Sequence, residues 1–211
     1  MKRGAKVLFF VLIVRPMVLV AMGLNVRHRE RLPSGAAVLA VNHNSHLDTL
    51  AVASLVPVRD LPRLRPIGAR DYFCRNAFCE WLSRTFLGLI PLSRRPKRGE
   101  DLFAEAVEAL EKGDLLVIFP EGSRGEPEER VALKAGVGRL IERCSQAPLI
   151  PVFLRGCGKA LPKGEAIFVP FCCDVVVGEP LHFEGDRKDM VSKLEHSLDE
   201  LESSLPIVEW D

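Results

Sequence analysis

Five short apolar runs punctuate the chain, and each has the length of a β-strand. The predicted strands are Ala36–Val41, Leu64–Ala69, Leu87–Leu92, Leu115–Phe119 and Leu149–Leu154. Near-continuous apolar runs of this kind are typical of strands that helices cover on both faces. The pattern predicts an α/β fold: a single domain with a largely parallel or mixed central sheet flanked by helices.

Between and after these runs, the apolar residues adopt a helical spacing. The predicted helices are Glu100–Lys112, which Gly113 would end, Val131–Cys144 and Asp189–Leu201. Residues 165–181 contain a further apolar stretch that predicts one or two strands. No linker or repeat divides the chain.

The first 31 residues are more apolar than a surface helix requires. Arg15 and Pro16 split them into the runs Val7–Val14 and Met17–Leu24, and neither reaches the roughly 18 to 20 residues of a spanning helix. A signal peptide and a buried core helix are alternatives. We expect a pair of short membrane-interface helices, with anionic head groups meeting a set of basic residues: Arg15, Arg27, Arg29 and Arg31. The predicted division is therefore a membrane-associating segment at 1–31 and an α/β domain at 32–211.

Composition narrows the functional classes. Lys and Arg number 29 against 28 Asp and Glu, a net charge of +1, which argues against a general nucleic-acid binder. The six cysteines form no CxxC pair, so reduced thiols in a cytosolic compartment are expected.

The most concentrated chemistry follows the first predicted strand, in the stretch NHNSHLD at residues 42–48. In a continuous helix, His43 and Asp48 would point about 140° apart, and in a strand they would lie on opposite faces. They can meet only if a strand ends at Asn42 and a helix opens near Ser45. A carboxylate could then orient the imidazole, which would act as a general base on an alcohol.

Two other interpretations of this stretch stay open. Ser45 and Asp48 form a capping-box pattern, in which Asp48 would be structural. His43, His46 and Asp48 are also residue types that bind metal ions.

Three further apolar runs end in polar turns. GLIPLSRRPKR places Ser93 and Arg94 after a strand, FPEGSRG displays Glu121, Ser123 and Arg124, and LIPVFLRG carries Pro151. Arginine binds phosphate through two parallel hydrogen bonds. Ligands of open α/β sheets bind beyond the carboxyl ends of the strands, so the Arg94 turn, the Arg124 turn and the His43 turn are expected to line one crevice.

In this order, the four stretches resemble the conserved blocks of the glycerophospholipid acyltransferase family, which includes 1-acylglycerol-3-phosphate acyltransferases. NHNSHLD is similar to the family's NHxxxxD block, GLIPLSRR to the second block, FPEGSRG to FPEGTRS, and LIPVFLRG to the fourth block. Ser123 stands where threonine is usual, and Gly125 stands where serine is usual.

The resemblance implies a role for each matching residue. His43 would be the general base and Asp48 its orienting carboxylate, and the acceptor hydroxyl would attack an acyl-CoA or acyl-carrier-protein thioester without an acyl-enzyme. The implied acceptor-binding residues are Arg94, Arg124, Glu121, Gly122, Ser123 and, by a weaker match, Arg70. No metal or cofactor is implied. The protein would be peripheral or monotopic on the cytoplasmic face of a membrane, the inner one in a bacterium.

The acceptor stays open at this point. Lysophosphatidic acid, another lysophospholipid and a lyso-ornithine lipid all offer a hydroxyl, although two arginines favour a phosphate. A metal-dependent hydrolase and a non-catalytic lipid-binding module are the competing classes.

Overall fold

The computed structural model describes residues 2–45, 47–93, 99–125, 130–160 and 171–205. Within them, seven strands form one sheet in the order β1-β7-β6-β2-β5-β3-β4. The strands are β1 (Leu24–Arg27), β2 (Ala37–Val41), β3 (Leu64–Ala69), β4 (Ile90–Leu92), β5 (Leu115–Ile118), β6 (Leu149–Arg155) and β7 (Cys173–Val177).

Helices cover both faces of this sheet. They are α1 (Lys2–Phe9), α2 (Arg15–Ala21), α3 (Leu47–Leu55), α4 (Arg70–Phe73), α5 (Ala77–Leu82), α6 (Ala104–Glu111), α7 (Ala135–Arg143), α8 (Cys157–Ala160) and α9 (Arg187–Ser204). The predicted α/β class is confirmed, and α6, α7 and α9 each overlap a predicted helix.

The sheet is mixed, as the sequence predicts. The five strands β2 to β6 are all parallel to one another. The exception is β7, which is antiparallel to β6 and carries β1 as a parallel neighbour. The carboxyl ends of β2 to β6 therefore meet at one edge of the sheet, where the polar turns follow the strands.

Alternation along β2 explains why its run of five apolar residues is fully buried. Ala37, Leu39 and Val41 pack into a cluster with the N-terminal helices and α3. Val38 and Ala40 point to the opposite face, which α6, α7 and α9 cover. A strand buried on both faces needs apolar residues at every position.

Two strands differ from the prediction. Leu87, the predicted start of the fourth run, ends a π-helical turn (Ser83–Leu87), so β4 contains only Ile90–Leu92. Gly88 follows this turn with a φ of +70°, which ends the helix and delays the strand. Strand β1 lies inside the segment assigned to the membrane. Of the predicted strand region 165–181, residues 165–170 lie outside the described residues.

The N-terminal segment is helical from residue 2 to residue 21 without a break, rather than a separated pair of helices. A π-helical turn (Phe10–Val14) connects α1 to α2, and the Arg15 N–H bonds the Phe10 carbonyl across it. Pro16 lacks the N–H that a regular helix would use, and a π-turn is a common way to absorb such a defect. No helix among the described residues combines the length and the apolar character needed to cross a bilayer.

This helical segment has one face in the core. Phe10, Val14, Val18 and Met22 are buried and belong to the same cluster as β2 and α3. The opposite face exposes further apolar side chains: Leu8, Val11, Leu12, Ile13, Met17, Leu19 and Val20. One side of the segment therefore packs as a core helix, and the other side is an exposed apolar surface.

The four arginines of this segment that were expected to meet lipid head groups donate hydrogen bonds to backbone carbonyls. Arg15 donates to the carbonyl of Val56, and Arg29 donates twice to that of Leu55, at 3.0 and 2.7 Å. These carbonyls belong to the last residue of α3 and the residue after it, where carbonyls have no helical N–H partner. Arg27 similarly donates to Ser204, and Arg31 to Val177 with an ion pair to Glu179. The basic side chains fasten the segment to the domain.

Candidate active site

His43 and Asp48 meet at the corner between β2 and α3. The chain leaves the sheet after Val41 and enters α3 at Leu47, which confirms the strand–turn–helix geometry predicted from their spacing. His43 Nδ1 lies 3.0 Å from Asp48 Oδ2. The carboxylate is buried, with its side chain 1% exposed, whereas the imidazole is 18% exposed. The pair therefore presents the histidine outward and keeps the aspartate behind it.

Asp48 also holds the turn itself. Its Oδ2 accepts the backbone N–H of Asn44 at 2.8 Å and of Ser45 at 2.7 Å. Ser45 Oγ accepts the N–H of Leu47 at 3.2 Å, as an N-cap does. The capping and pairing interpretations are thus both features of one carboxylate.

These contacts define the tautomer of a neutral His43 ring. An ionised carboxylate only accepts hydrogen bonds, so the proton on the near side belongs to Nδ1, and Nε2 carries the lone pair. The ring also stacks on Phe119 at the end of β5, with centroids 4.0 Å apart and planes 23° apart. Two contacts on different sides leave the imidazole little rotational freedom.

Glu121 lies behind His43. Its side chain is fully buried, and Oε1 accepts the backbone N–H of His43 at 3.3 Å. Burial raises the pKa of Glu121 to about 7, although N–H donors from His43 and Val131 and the charge of Arg130 act in the opposite direction. The resemblance implies that Glu121 shapes an acceptor pocket, but the side chain contacts the turn that carries the base and does not reach solvent.

The loop that follows β5 is bonded to the His43 turn at a second point. The Gly125 N–H donates to the His43 carbonyl at 3.0 Å, and Gly122 closes a turn by donating to Phe119 at 2.9 Å. Gly122 has a φ of +70°, and a Cβ there would lie 3.0 Å from the Lys134 side chain. Both conditions favour glycine.

Arg124 sits on this loop, one residue before the bond to His43. Its side chain is partly exposed, and no hydrogen bond or ion pair joins it to any of the described residues. Ser123, next to it, is exposed. Since no described residue pairs with this guanidinium and its loop is bonded to the His43 turn, it is available to an anionic ligand.

Arg70 and Arg94 are the two other basic residues predicted to bind the acceptor. Arg70 is exposed and begins α4 directly after β3, at the same edge of the sheet. Arg94 lies outside the described residues, as does His46. Ser93, just before Arg94, follows β4 at this edge.

Two supporting contacts were not anticipated from the sequence. The Asn42 amide donates to the Leu154 carbonyl at 2.8 Å and accepts the Leu154 N–H at 2.7 Å, which ties the end of β2 to β6. Behind Asp48, the neighbouring Cys173 thiol, burial and the Asp48 charge raise the pKa of Cys157 well above its ordinary value, so this thiol stays neutral. Polar residues just after a strand are the only sequence signal for such contacts.

The metal interpretation gains no support from the described part of the chain, which contains no group of three or more His, Cys, Asp or Glu side chains placed to hold an ion. Asp48 Oδ2 is already occupied by two N–H donors and the imidazole.

Fold and site together define an α/β protein with a histidine–carboxylate pair at the carboxyl edge of its parallel strands. The family model described as Acyltransferase matches residues 23–155, more than half of the chain, and the chain belongs to that family. The predicted family is confirmed.

Individual relatives agree with this assignment. The chain is 29% identical over 185 residues to the chloroplastic 1-acyl-sn-glycerol-3-phosphate acyltransferase LPAT1 of Arabidopsis thaliana, covering 83% of this chain and 49% of the relative. It is 26% identical over 173 residues to the 1-acyl-sn-glycerol-3-phosphate acyltransferase of Bacillus subtilis, covering 81% and 79%. The chain thus spans about half the length of the plant relative and most of the bacterial one.

A solved structure shows the same fold. The crystal structure of the 1-acyl-sn-glycerophosphate acyltransferase PlsC from Thermotoga maritima matches with a TM-score of 0.78 at 18% identity, over 98% of this chain and 82% of that one.

Proposed function

We propose that this protein transfers a fatty acyl group from acyl-CoA or acyl-carrier protein to the free hydroxyl of a lysophospholipid. We further propose 1-acylglycerol-3-phosphate as the acceptor and phosphatidic acid as the product. The observation that carries this proposal is the His43–Asp48 pair, buried on the carboxylate side and open on the imidazole side, in a chain of the Acyltransferase family. Three similar proteins carry the corresponding acyltransferase names.

The proposed reaction begins with removal of the acceptor proton. His43 Nε2 takes the hydroxyl proton while the alkoxide oxygen bonds the thioester carbonyl carbon. Asp48 stabilises the imidazolium that forms, because its carboxylate faces Nδ1. The tetrahedral intermediate then breaks its carbon–sulfur bond, and the imidazolium returns the proton to the leaving thiolate. The products are an ester and a thiol, and the histidine is regenerated.

A direct attack fits the side chains around the pair. Ser45, the hydroxyl nearest to His43 along the chain, is buried and accepts the Leu47 N–H. It is therefore placed as a cap rather than as a nucleophile. In this proposal, Glu121 acts on the reaction through the backbone of His43 and does not contact the acceptor.

The acceptor phosphate is assigned to the basic residues at the same edge. Arg124 is the best supported of them, because its loop bonds the His43 carbonyl through Gly125. Arg70 follows β3 at this edge, and Arg94 is proposed on the sequence resemblance. A phosphate held here would place the glycerol hydroxyl toward the imidazole.

We also propose peripheral attachment to the cytoplasmic face of a membrane, the inner membrane in a bacterium. The exposed apolar side chains of residues 8–20 support this attachment. A lipid substrate would then reach the site along the bilayer surface.

The test is mass spectrometry of products formed by the purified protein from acyl-CoA, or from acyl-carrier protein, with a panel of lyso-lipids. We expect phosphatidic acid from 1-acylglycerol-3-phosphate and unchanged turnover with a chelator present. Preferential acylation of an uncharged or ornithine-based acceptor would replace the proposed acceptor. Thiol release without any acylated lipid would indicate a hydrolase, and no thiol release would indicate a lipid-binding module.

A further inference from the structure

The connection between β3 and β4 exposes an unusual set of apolar side chains. Tyr72 on α4 and three residues of α5 are all exposed, with Phe78 at 67% and Trp81 at 52%. The third α5 residue, Leu82, is 42% exposed. Single exposed apolar residues are ordinary, but a cluster of exposed aromatic residues indicates a surface that binds a partner or a membrane. We call these four residues the aromatic patch.

Ring contacts join the aromatic patch to the N-terminal helix. Phe78 and Trp81 have ring centroids 6.1 Å apart, Trp81 and Phe86 6.0 Å, and Phe86 and Phe9 5.1 Å. Phe9 is the last residue of α1, whose neighbours Leu8 and Leu12 are exposed. A chain of packed rings therefore connects the aromatic patch to the N-terminal helix that carries the other exposed apolar side chains.

The charges around the aromatic patch suit an anionic surface. Residues 70–84 contain Arg70, Arg75 and Arg84 against Asp71 and Glu80. Arg84 pairs with Glu80 at 3.0 Å and with Glu105 at 2.9 Å, so the positive charge that remains for a ligand comes from Arg70 and Arg75. Both arginines are exposed, Arg70 just before Tyr72 and Arg75 between Tyr72 and Phe78. Aromatic rings with polar tips, bordered by arginine, are the side chains that settle at the boundary between head groups and acyl chains.

The aromatic patch follows the edge of the sheet that carries the candidate active site. α4 begins at the carboxyl end of β3, the edge that carries His43 and Arg124. A bilayer in contact with both α5 and the N-terminal helix would touch the protein at two places, which fixes its tilt. One contact alone would leave the domain free to swing about the helix.

We propose that the aromatic patch is a second lipid-contacting element that inserts into the head-group region of an anionic phospholipid bilayer and orients the catalytic edge toward it. The proposal rests on the membrane attachment proposed above and adds a segment that is distant from the N-terminus in sequence.

The chain provides its own reporter. It contains two tryptophans, Trp81 and Trp210, so Trp210→Phe leaves Trp81 as the single tryptophan, which can be excited selectively over Tyr72. On mixing this protein with vesicles of phosphatidylglycerol and phosphatidylcholine, we expect Trp81 emission to shift to shorter wavelength and brominated acyl chains to quench it. Protein that co-sediments with vesicles while Trp81 emission stays unshifted and unquenched would overturn the proposal. The N-terminal attachment would stand in that case.

A pair of variants tests the energetic contribution. Phe78→Ser with Leu82→Ser should weaken vesicle partitioning by roughly 10-fold or more, the loss expected when an aromatic and an aliphatic side chain no longer leave water. Val58→Ser, at a similarly exposed valine away from the patch, is the control and should bind as the parent does. Equal partitioning of the two variants, with unchanged thermal unfolding, would overturn the proposal. Absence of all vesicle binding would overturn it too, while product formation from monomeric substrate would keep the proposed reaction.

Discussion

Asp48 Oδ2 bonds the His43 ring and the backbone of Asn44 and Ser45 at the same time, at distances from 2.7 to 3.0 Å. The atom that orients the His43 ring is therefore also the atom that shapes the turn. Changing Asp48 must alter both, whereas changing His43 should leave the turn in place.

The first prediction concerns the base alone. His43→Ala should lower turnover by roughly 10² to 10⁴, the usual contribution of a positioned general base. The backbone N–H and carbonyl of His43 keep their bonds to Glu121 and Gly125, so thermal unfolding should change little. Thiol release from acyl-CoA measures the rate. Near-parental turnover in the alanine variant would refute the assigned mechanism.

The second prediction concerns the orienting carboxylate. Asp48→Asn replaces the charged acceptor of three N–H groups with a neutral amide oxygen, so it should cost about 1 to 3 kcal/mol of unfolding free energy. It should also reduce turnover strongly, because His43 loses the group that fixes its tautomer. Ser45→Ala is the matched control: loss of the cap should cost about 1 kcal/mol and leave most activity. Equal effects of both variants on turnover would favour a structural role for Asp48.

The third prediction uses the pKa of Glu121. The folded protein holds this proton up to about pH 7, whereas the unfolded chain releases it near 4.5. Between these values the folded state binds more protons, so the contribution of Glu121 to stability falls as pH rises. By proton linkage the loss is at most about 3 kcal/mol and is complete above pH 7.

Glu121→Gln removes this titration. Unfolding of the glutamine variant and the parent should be compared from pH 4.5 to pH 8. The variant should gain stability relative to the parent as pH rises to 7, and the difference should then level off. A difference that is constant across this range would show that the Glu121 pKa is not raised in the folded protein.

The fourth prediction separates phosphate binding from chemistry. Arg124→Gln should raise the KM for a phosphate-bearing acceptor by roughly 10- to 100-fold, the loss of a charge-assisted hydrogen bond. The KM for the acyl donor and the unfolding temperature should stay near the parental values, because Arg124 has no partner among the described residues. Arg139→Gln, at an exposed arginine of α7, should change neither constant. If Arg124→Gln leaves the acceptor KM unchanged, the acceptor phosphate binds to other residues.

The His43–Asp48 corner could be predicted from the sequence because a five-residue spacing has few solutions once both side chains must meet. The buried strands could be predicted for a similar reason, since every position of β2 or β5 needs an apolar residue. Strand β1 could not be predicted from the sequence, because it has only four residues and directly follows the apolar helical run.

Side-chain direction in turns was the harder problem. Glu121 follows a strand in the same way as Arg124, yet one side chain turns into the core and the other toward solvent. That choice depends on where the His43 N–H lies in three dimensions. The arginines at positions 15 and 29 are a second case, because their partners are carbonyls near the end of α3 that no local pattern reveals.

Because strand β1 belongs to the N-terminal segment, deleting that segment is a poor way to make the protein soluble without detergent. The same stretch supplies the exposed apolar side chains, the buried stripe from Phe10 to Met22 and the edge partner of β7. Removing it would strip hydrogen bonds from β7 and open the core beside α3. A detergent-free form should therefore come from replacing exposed residues such as Leu12 and Val20 with polar ones, and shortening the chain should yield aggregates.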